Sequence, residues 1–250
     1  YNFSVSNNDF LLSNNLAPAT GIEFISTSNY NPGVGIRVLQ NLKIDNNQIN
    51  LLEVNTTVLS GTRGIDVKIN EANSGISVCN NDINFYNATN SPTVEAICGI
   101  RLYTETTYNS KIWRRTKVCN NSIAGVFTAS GSFPEHGALV IDLQPTALTY
   151  MSLYNASISG NIATGLPYDQ TSGASHGFYM QINNAAISGY AVSVTNNAFT
   201  EFLDTGVGIC AQFVGNVPAN SICQGNISQD SGAAGFTGFS FSINADNIDY

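Results

Sequence analysis

The chain is short of charge. Only 10% of its 250 residues are Asp, Glu, Lys or Arg, against about 25% in an ordinary globular domain. Cations are missing from most of its length: all nine Lys and Arg lie at or before Lys117, and the residues after it carry eight acids and no base. With a net charge of −8, such a surface repels phosphate, which argues against nucleic acid and anionic membranes as partners. No apolar run approaches the ~18 residues of a membrane-spanning helix. Histidine is limited to two residues and the five cysteines include no Cys-x-x-Cys pair, so no zinc site is expected, and no other metal or cofactor. Five cysteines are also an odd number, in a chain too long to depend on a disulfide scaffold. Tyr1-Asn2-Phe3-Ser4 has neither the basic nor the apolar region of a signal peptide.

What is present is amide and hydroxyl. The chain holds 33 Asn, 25 Ser, 20 Thr and 22 Gly, which make a neutral polar surface. Its 43% apolar residues suffice for the core of a single domain over 1–250. Six Asn-x-Ser/Thr sequons, at Asn2, Asn55, Asn87, Asn120, Asn155 and Asn226, are no more than this composition yields by chance.

The composition is organised by repeats. One motif reads VSNNDF from Val5, IDNNQI from Ile44, VCNNDI from Val78, VCNNSI from Val118 and VTNNAF from Val194, with weaker copies ISGNI from Ile158 and CQGNI from Cys223. The last Asn of each falls at 8, 47, 81, 121, 161, 197 and 226. A second motif, a glycine opening an alternating strand, sits between successive copies: after Gly21, Gly64, Gly99, Gly137, Gly177, Gly208 and Gly238.

Short strands of period two cannot bury a face alone, but stacking each repeat on the next, about 4.8 Å away, pairs them in parallel around a continuous interior. Asn suits the sharp corner between two strands because it tolerates left-handed backbone angles. Stacked amides can also bond from one repeat to the next as a ladder.

On these motifs the chain resembles the right-handed parallel β-helix superfamily, the pectate-lyase-like solenoids, over essentially its whole length. The resemblance implies an all-β, right-handed, single-stranded parallel β-helix of about seven turns, with Asn47, Asn81, Asn121, Asn161 and Asn197 in the ladder. It does not select a function, since this scaffold carries lyases, hydrolases, adhesins and virus spikes. The NTD, DD, GHG and RIK signatures of polygalacturonase-like hydrolases are missing, and so is the Asp cluster that holds calcium in pectate lyases. The strand after Gly238 repeats the register of the strand after Gly177 and the chain stops soon afterwards. A segment of a larger protein, or ends capped by partners, is therefore expected.

Several side chains are candidates for chemistry. Cys79 and Cys119 share one motif position in consecutive repeats, where Ser6, Asp45, Ser159 and Thr195 stand elsewhere. Free thiols are expected there, because side chains in parallel register sit wider than a disulfide prefers. Cys98, Cys210 and Cys223 read as small core residues. Unpaired thiols fit a reducing cytosol, which suits a virion protein better than a secreted enzyme.

His136 and His176 each precede a strand-opening glycine and are expected to stack, with Glu135, Asp142, Asp169 and Tyr179 around them. Two carboxyl groups about 5–10 Å apart would serve glycoside hydrolysis; the competing reading is a structural histidine pair among solvated acids. The run Lys111 to Lys117 holds the only Trp. Trp113, with Arg114 and Tyr108, would stack on a sugar ring or seat a neighbouring subunit, or else be one packed aromatic in an insertion; Tyr168 and Tyr179 extend the aromatic set.

The expected role is non-catalytic: a receptor- or glycan-binding segment of a viral or phage spike, fibre or surface protein, resembling tailspike β-helices. A trimer, and a virion or cell-surface location, follow from that resemblance. The alternatives are a polysaccharide depolymerase and a bacterial adhesin on the same fold.

Overall fold

A computed structural model of the chain describes residues 2–14, 20–26, 41–53, 62–69, 75–87, 96–105, 111–125, 137–144, 151–165, 176–182, 190–200, 209–215, 221–229, 237–243 and 248–249. These form three parallel sheets. The first stacks Asn2–Ser6, Asn41–Asp45, Ile76–Cys79, Thr116–Cys119, Met151–Ser159, Tyr190–Thr195, Ser221–Gln224 and Ile248–Asp249 in that order, with Lys111–Arg114 also pairing with Met151–Ser159. The second stacks Asp9–Asn14, Gln48–Glu53, Asp82–Asn87, Ser122–Gly125, Ile162–Gly165, Ala198–Thr200 and Ile227–Gln229. The third stacks Thr20–Ser26, Thr62–Ile69, Ala96–Glu105, Gly137–Gln144, His176–Ile182, Ile209–Gly215 and Thr237–Ile243. Each strand pairs with the equivalent strand of the next repeat, so the chain is a parallel β-solenoid whose coils we number one to seven by their corner asparagine, from Asn8 to Asn226.

The corner between the first and second sheets explains the Asn-Asn motif. Its first residue is left-handed in every coil: φ is 60° at Asn7, 56° at Asn46, 57° at Asn80, 52° at Asn120 and 55° at Asn196. The weaker copies put Gly160 and Gly225 there, each at φ 65°, and the backbone turns in the same way. The second residue is the ladder. Each amide nitrogen donates to the side-chain oxygen of the next coil's asparagine, from Asn8 through Asn47, Asn81, Asn121, Asn161 and Asn197 to Asn226, over 2.8–3.0 Å. That oxygen also accepts the preceding asparagine's backbone N–H, as Asn121 does from Asn81 and Asn161 from Asn121. The second amide hydrogen goes back to a carbonyl of the previous coil, Val78 for Asn121 and Val118 for Asn161. All four polar valences of the side chain are used, which is why Asn47, Asn81, Asn121, Asn161 and Asn197 can be buried to 2% exposure or less.

The core lies between the sheets, in stacked rows. In the third sheet Ile22, Ile65, Ile100, Leu139, Phe178, Ala211 and Phe239 share one register level. In the second, Phe10, Ile49, Ile83, Ile123, Ala163 and Phe199 do so. Where rows meet, the Phe178 and Phe199 rings stack at 5.6 Å with 10° between planes, and the small Ala163 is the register neighbour of Phe199.

The strand-opening glycines answer the same crowding. A β-carbon at Gly64 or Gly99 would meet Cγ2 of Ile83 or Ile123 and the next coil's carbonyl, each at 2.5 Å. The register corrects two copies of that motif. Leu139 stands opposite Ile100, so Ala138 and not Gly137 takes the crowded position, and Ala211 opposite Phe178 puts Cys210 there rather than Gly208. Ala138 is accommodated because the next coil carries Ala163 where earlier coils have isoleucine.

Candidate functional site

Two outer faces differ from the plain polar surface. On the third sheet, Asp66, Arg101, Val140 and Tyr179 follow one another across successive coils, as do Lys68, Tyr103, Asp142 and Gln181 two residues further on. Asp66 accepts two hydrogen bonds from Arg101, from Nε at 2.8 Å and from a terminal nitrogen at 2.9 Å, and Arg63 approaches the same carboxylate at 3.6 Å. The Arg101 guanidinium also lies 3.8 Å from the Tyr103 ring centre. Burial opposes the charge on Arg101, but the two-point contact with Asp66 outweighs it and holds its pKa above the ordinary value. Beyond them Cys98, Val140 and Tyr179 form a buried cluster of their own, apart from the main core. Burial first, and then the charge on Asp142, keep the Tyr179 phenol protonated well above its usual range.

On the first sheet the distinctive feature is a bulge. Arg115, Asn155 and Ala191 occupy successive coils at one level and are left-handed, at φ 53°, 54° and 58°. The left-handed residue breaks the in-out alternation without breaking the register, so Arg114 and Arg115 are both exposed while Trp113 and Thr116 on either side are buried. Arg114 lies over the Tyr154 ring at 5.8 Å, and Tyr154 stands opposite Tyr190 of the next coil. One level along, Lys43, Ser77, Lys117, Ser157 and Ser193 share a row.

The expected site residues distribute unevenly. Glu135, His136 and Asp169 of the candidate acid-base set, and Tyr108 and Tyr168 of the aromatic set, lie outside the described residues. Asp142 is 6% exposed on the third sheet beside Tyr179. His176 opens its strand opposite Gly137, so the register does not set the two histidines level as their shared place before a glycine suggested. Trp113 is fully buried in the main core: it is the packed aromatic of the two readings and presents no face to a sugar. Arg114 is exposed.

Cys79 and Cys119 form a disulfide, which corrects the expectation of free thiols. Their strands pair in register with α-carbons 4.6 Å apart, within bridging range. Cys98 and Cys223 form no disulfide; Cys98 is buried, and burial raises the pKa of Cys223, partly offset by a hydrogen bond from Asn226. Among the described residues no group of three or more His, Cys, Asp or Glu could hold a metal ion, and no helix is long and apolar enough to cross a membrane.

Sequence reasoning missed the Asp66–Arg101 pair because the partners are 35 residues apart and meet only through the register of adjacent coils. It also did not pair Tyr154 with Arg114, a contact that depends on the register of adjacent coils.

Fold and geometry together define a class, the parallel β-solenoids with an asparagine ladder. No protein-family model matches the chain, and no curated protein or solved structure matches it either.

Proposed function

We propose that the chain is a rigid, non-catalytic segment of a viral or phage spike, fibre or surface protein that contacts a receptor or glycan, and that three copies assemble around it. The observation that carries this reading is the unbroken ladder from Asn8 to Asn226. It fixes every coil to the next through buried amide bonds and leaves the outward side chains free to vary, as a shaft that displays binding surfaces requires. The Cys79–Cys119 bond supports a chain that ends in an oxidising surrounding, such as a virion or cell surface.

The competing reading, a polysaccharide depolymerase, has one observation in its favour: Asp142 is a buried carboxylate beside a phenol held protonated. Light scattering on the purified chain, followed by incubation with bacterial capsule polysaccharides, separates the two. A trimer that leaves every polymer intact is expected. A chain that shortens one polymer, and stops doing so as Asp142→Asn with an unchanged melting curve, would establish the enzyme instead.

A further inference from the structure

We infer that the outer face of the first sheet in coils two to six is a binding surface for an acidic polysaccharide. This rests on the glycan-contacting role above and names the chemical class of the glycan.

The charge distribution is the first argument. The chain as a whole is acidic, yet Lys43, Arg114, Arg115 and Lys117 gather on this one face, and Asp45, paired with Lys43 at 3.5 Å, is the only acid whose side chain is described there. Arg114, Arg115 and Lys117 are exposed. In coils five to seven the same face continues as Ser157, Ser159, Ser193, Thr195 and Gln224, hydroxyls and an amide with no described acid among them. The basic residues of the third sheet are in a different state, with Arg101 buried and its charge engaged by Asp66.

The second argument is shape. Lys43 and Lys117 share a register row two coils apart, about 10 Å, a span comparable to one disaccharide. Arg114 lies over the Tyr154 ring, which sets a cation beside an aromatic on this face. A ring carrying a carboxylate or sulfate can stack on the aromatic and pair with the guanidinium together.

The third argument is that local stability is sacrificed at this place. Arg115 and Ala191 are left-handed although neither is Gly or Asn. Directly beneath them, the Trp113 indole nitrogen and the Thr116 hydroxyl are buried with no hydrogen-bond partner. The bulge that costs this is also what turns Arg114 and Arg115 outward together.

The test is affinity electrophoresis of the whole chain in polygalacturonate, polysialate and chondroitin sulfate, with neutral dextran and single-stranded oligo-dT as controls. Retardation by at least one acidic polymer, weakening as salt is raised, is expected, with no response to dextran. Arg114→Gln with Lys117→Gln should weaken it about tenfold or more, consistent with the loss of one to two charged contacts, without moving the melting midpoint, because both side chains are exposed. Binding to neutral glycans that the double variant leaves unchanged would overturn the acidic-polymer assignment and keep the glycan-contacting role. Tighter retention by oligo-dT than by any acidic glycan would overturn it in favour of nucleic acid. Binding to no polymer by a normally melting chain would overturn both the assignment and the glycan contact, and leave only a shaft.

Discussion

The solenoid bends its backbone into the left-handed region in two columns, and they are built on opposite terms. At the corner between the first and second sheets the left-handed residue is Asn or Gly in every coil, and the asparagine after it spends all its polar valences on neighbours. In the bulge of coils four to six the left-handed residues are Arg115, Asn155 and Ala191, with two buried polar groups lacking partners below them. One conformation is thus stabilised by its residue types in the first column and merely tolerated in the second. A column that holds the fold together selects for conformational ease; a column that aims side chains at solvent accepts strain, provided the rest of the coil over-determines it.

The sharpest way to break the comparison is to remove one asparagine at each place, the ladder residue that follows the corner and the left-handed residue of the second column. Asn121→Ala removes two acceptor and two donor contacts at a site 1% exposed, and is expected to cost about 4 kcal/mol, at roughly 1 kcal/mol for each buried bond. Asn155→Ala, exposed in the bulge, loses only the ease of a left-handed turn and should cost about 1 kcal/mol. Urea midpoints for the two variants measure the gap; equal losses would show that the ladder carries no more weight than any other turn.

The disulfide comes next in size. It clamps Cys79 to Cys119, the residue directly before a corner, across 40 residues of chain. Replacing both by serine should cost about 3–4 kcal/mol, through the freedom regained by the unfolded chain. Wild type treated with reductant should fall by the same amount, and a smaller loss on reduction would place part of the effect in the serine hydroxyls.

Both expectations depend on features that differ in how legible they were. The ladder could be read from the sequence because its signal is local and repeated: Asn after Asn or Gly, a fixed step after an apolar-polar pair, seven times over. The third-sheet cluster could not, because Asp66 and Arg101 become neighbours only when consecutive strands are laid in register, and repeat lengths vary. The same dependence misled the reading of the cysteines. Their shared motif position was recognised, but whether side chains at one level approach closely enough to bond follows from the local separation of the strands, 4.6 Å here between α-carbons, and not from the motif. Trp113 illustrates a third cause. A basic run with a tryptophan leaves exposure and packing both open, and a single left-handed residue, by reversing the alternation, decides which of its members face inward.

That reversal gives the next test. Thr116→Val keeps the shape of the side chain while removing a hydroxyl that is buried without a partner. It should raise stability by about 1 kcal/mol. No gain would mean that the hydroxyl is satisfied in solution, and the bulge would then rest on better terms than its geometry implies.

The smallest effect is the most discriminating. Ala191 is exposed and left-handed, so Ala191→Gly relieves about 1–2 kcal/mol of steric opposition, less the flexibility glycine adds to the unfolded chain. A net gain of about 0.5 kcal/mol is expected, read from a rise in the melting midpoint. Arg115→Gly should gain a similar amount for the same reason, but it also deletes a cation from the basic face. If strain in the bulge is retained for what the bulge displays, the two variants separate: Ala191→Gly is more stable and holds acidic polymer as the wild type does, whereas Arg115→Gly is more stable and holds it less well. Equal retention by both would leave the strained column without a binding purpose, and its contrast with the corner would then reflect only the weaker constraint on an outward-facing surface.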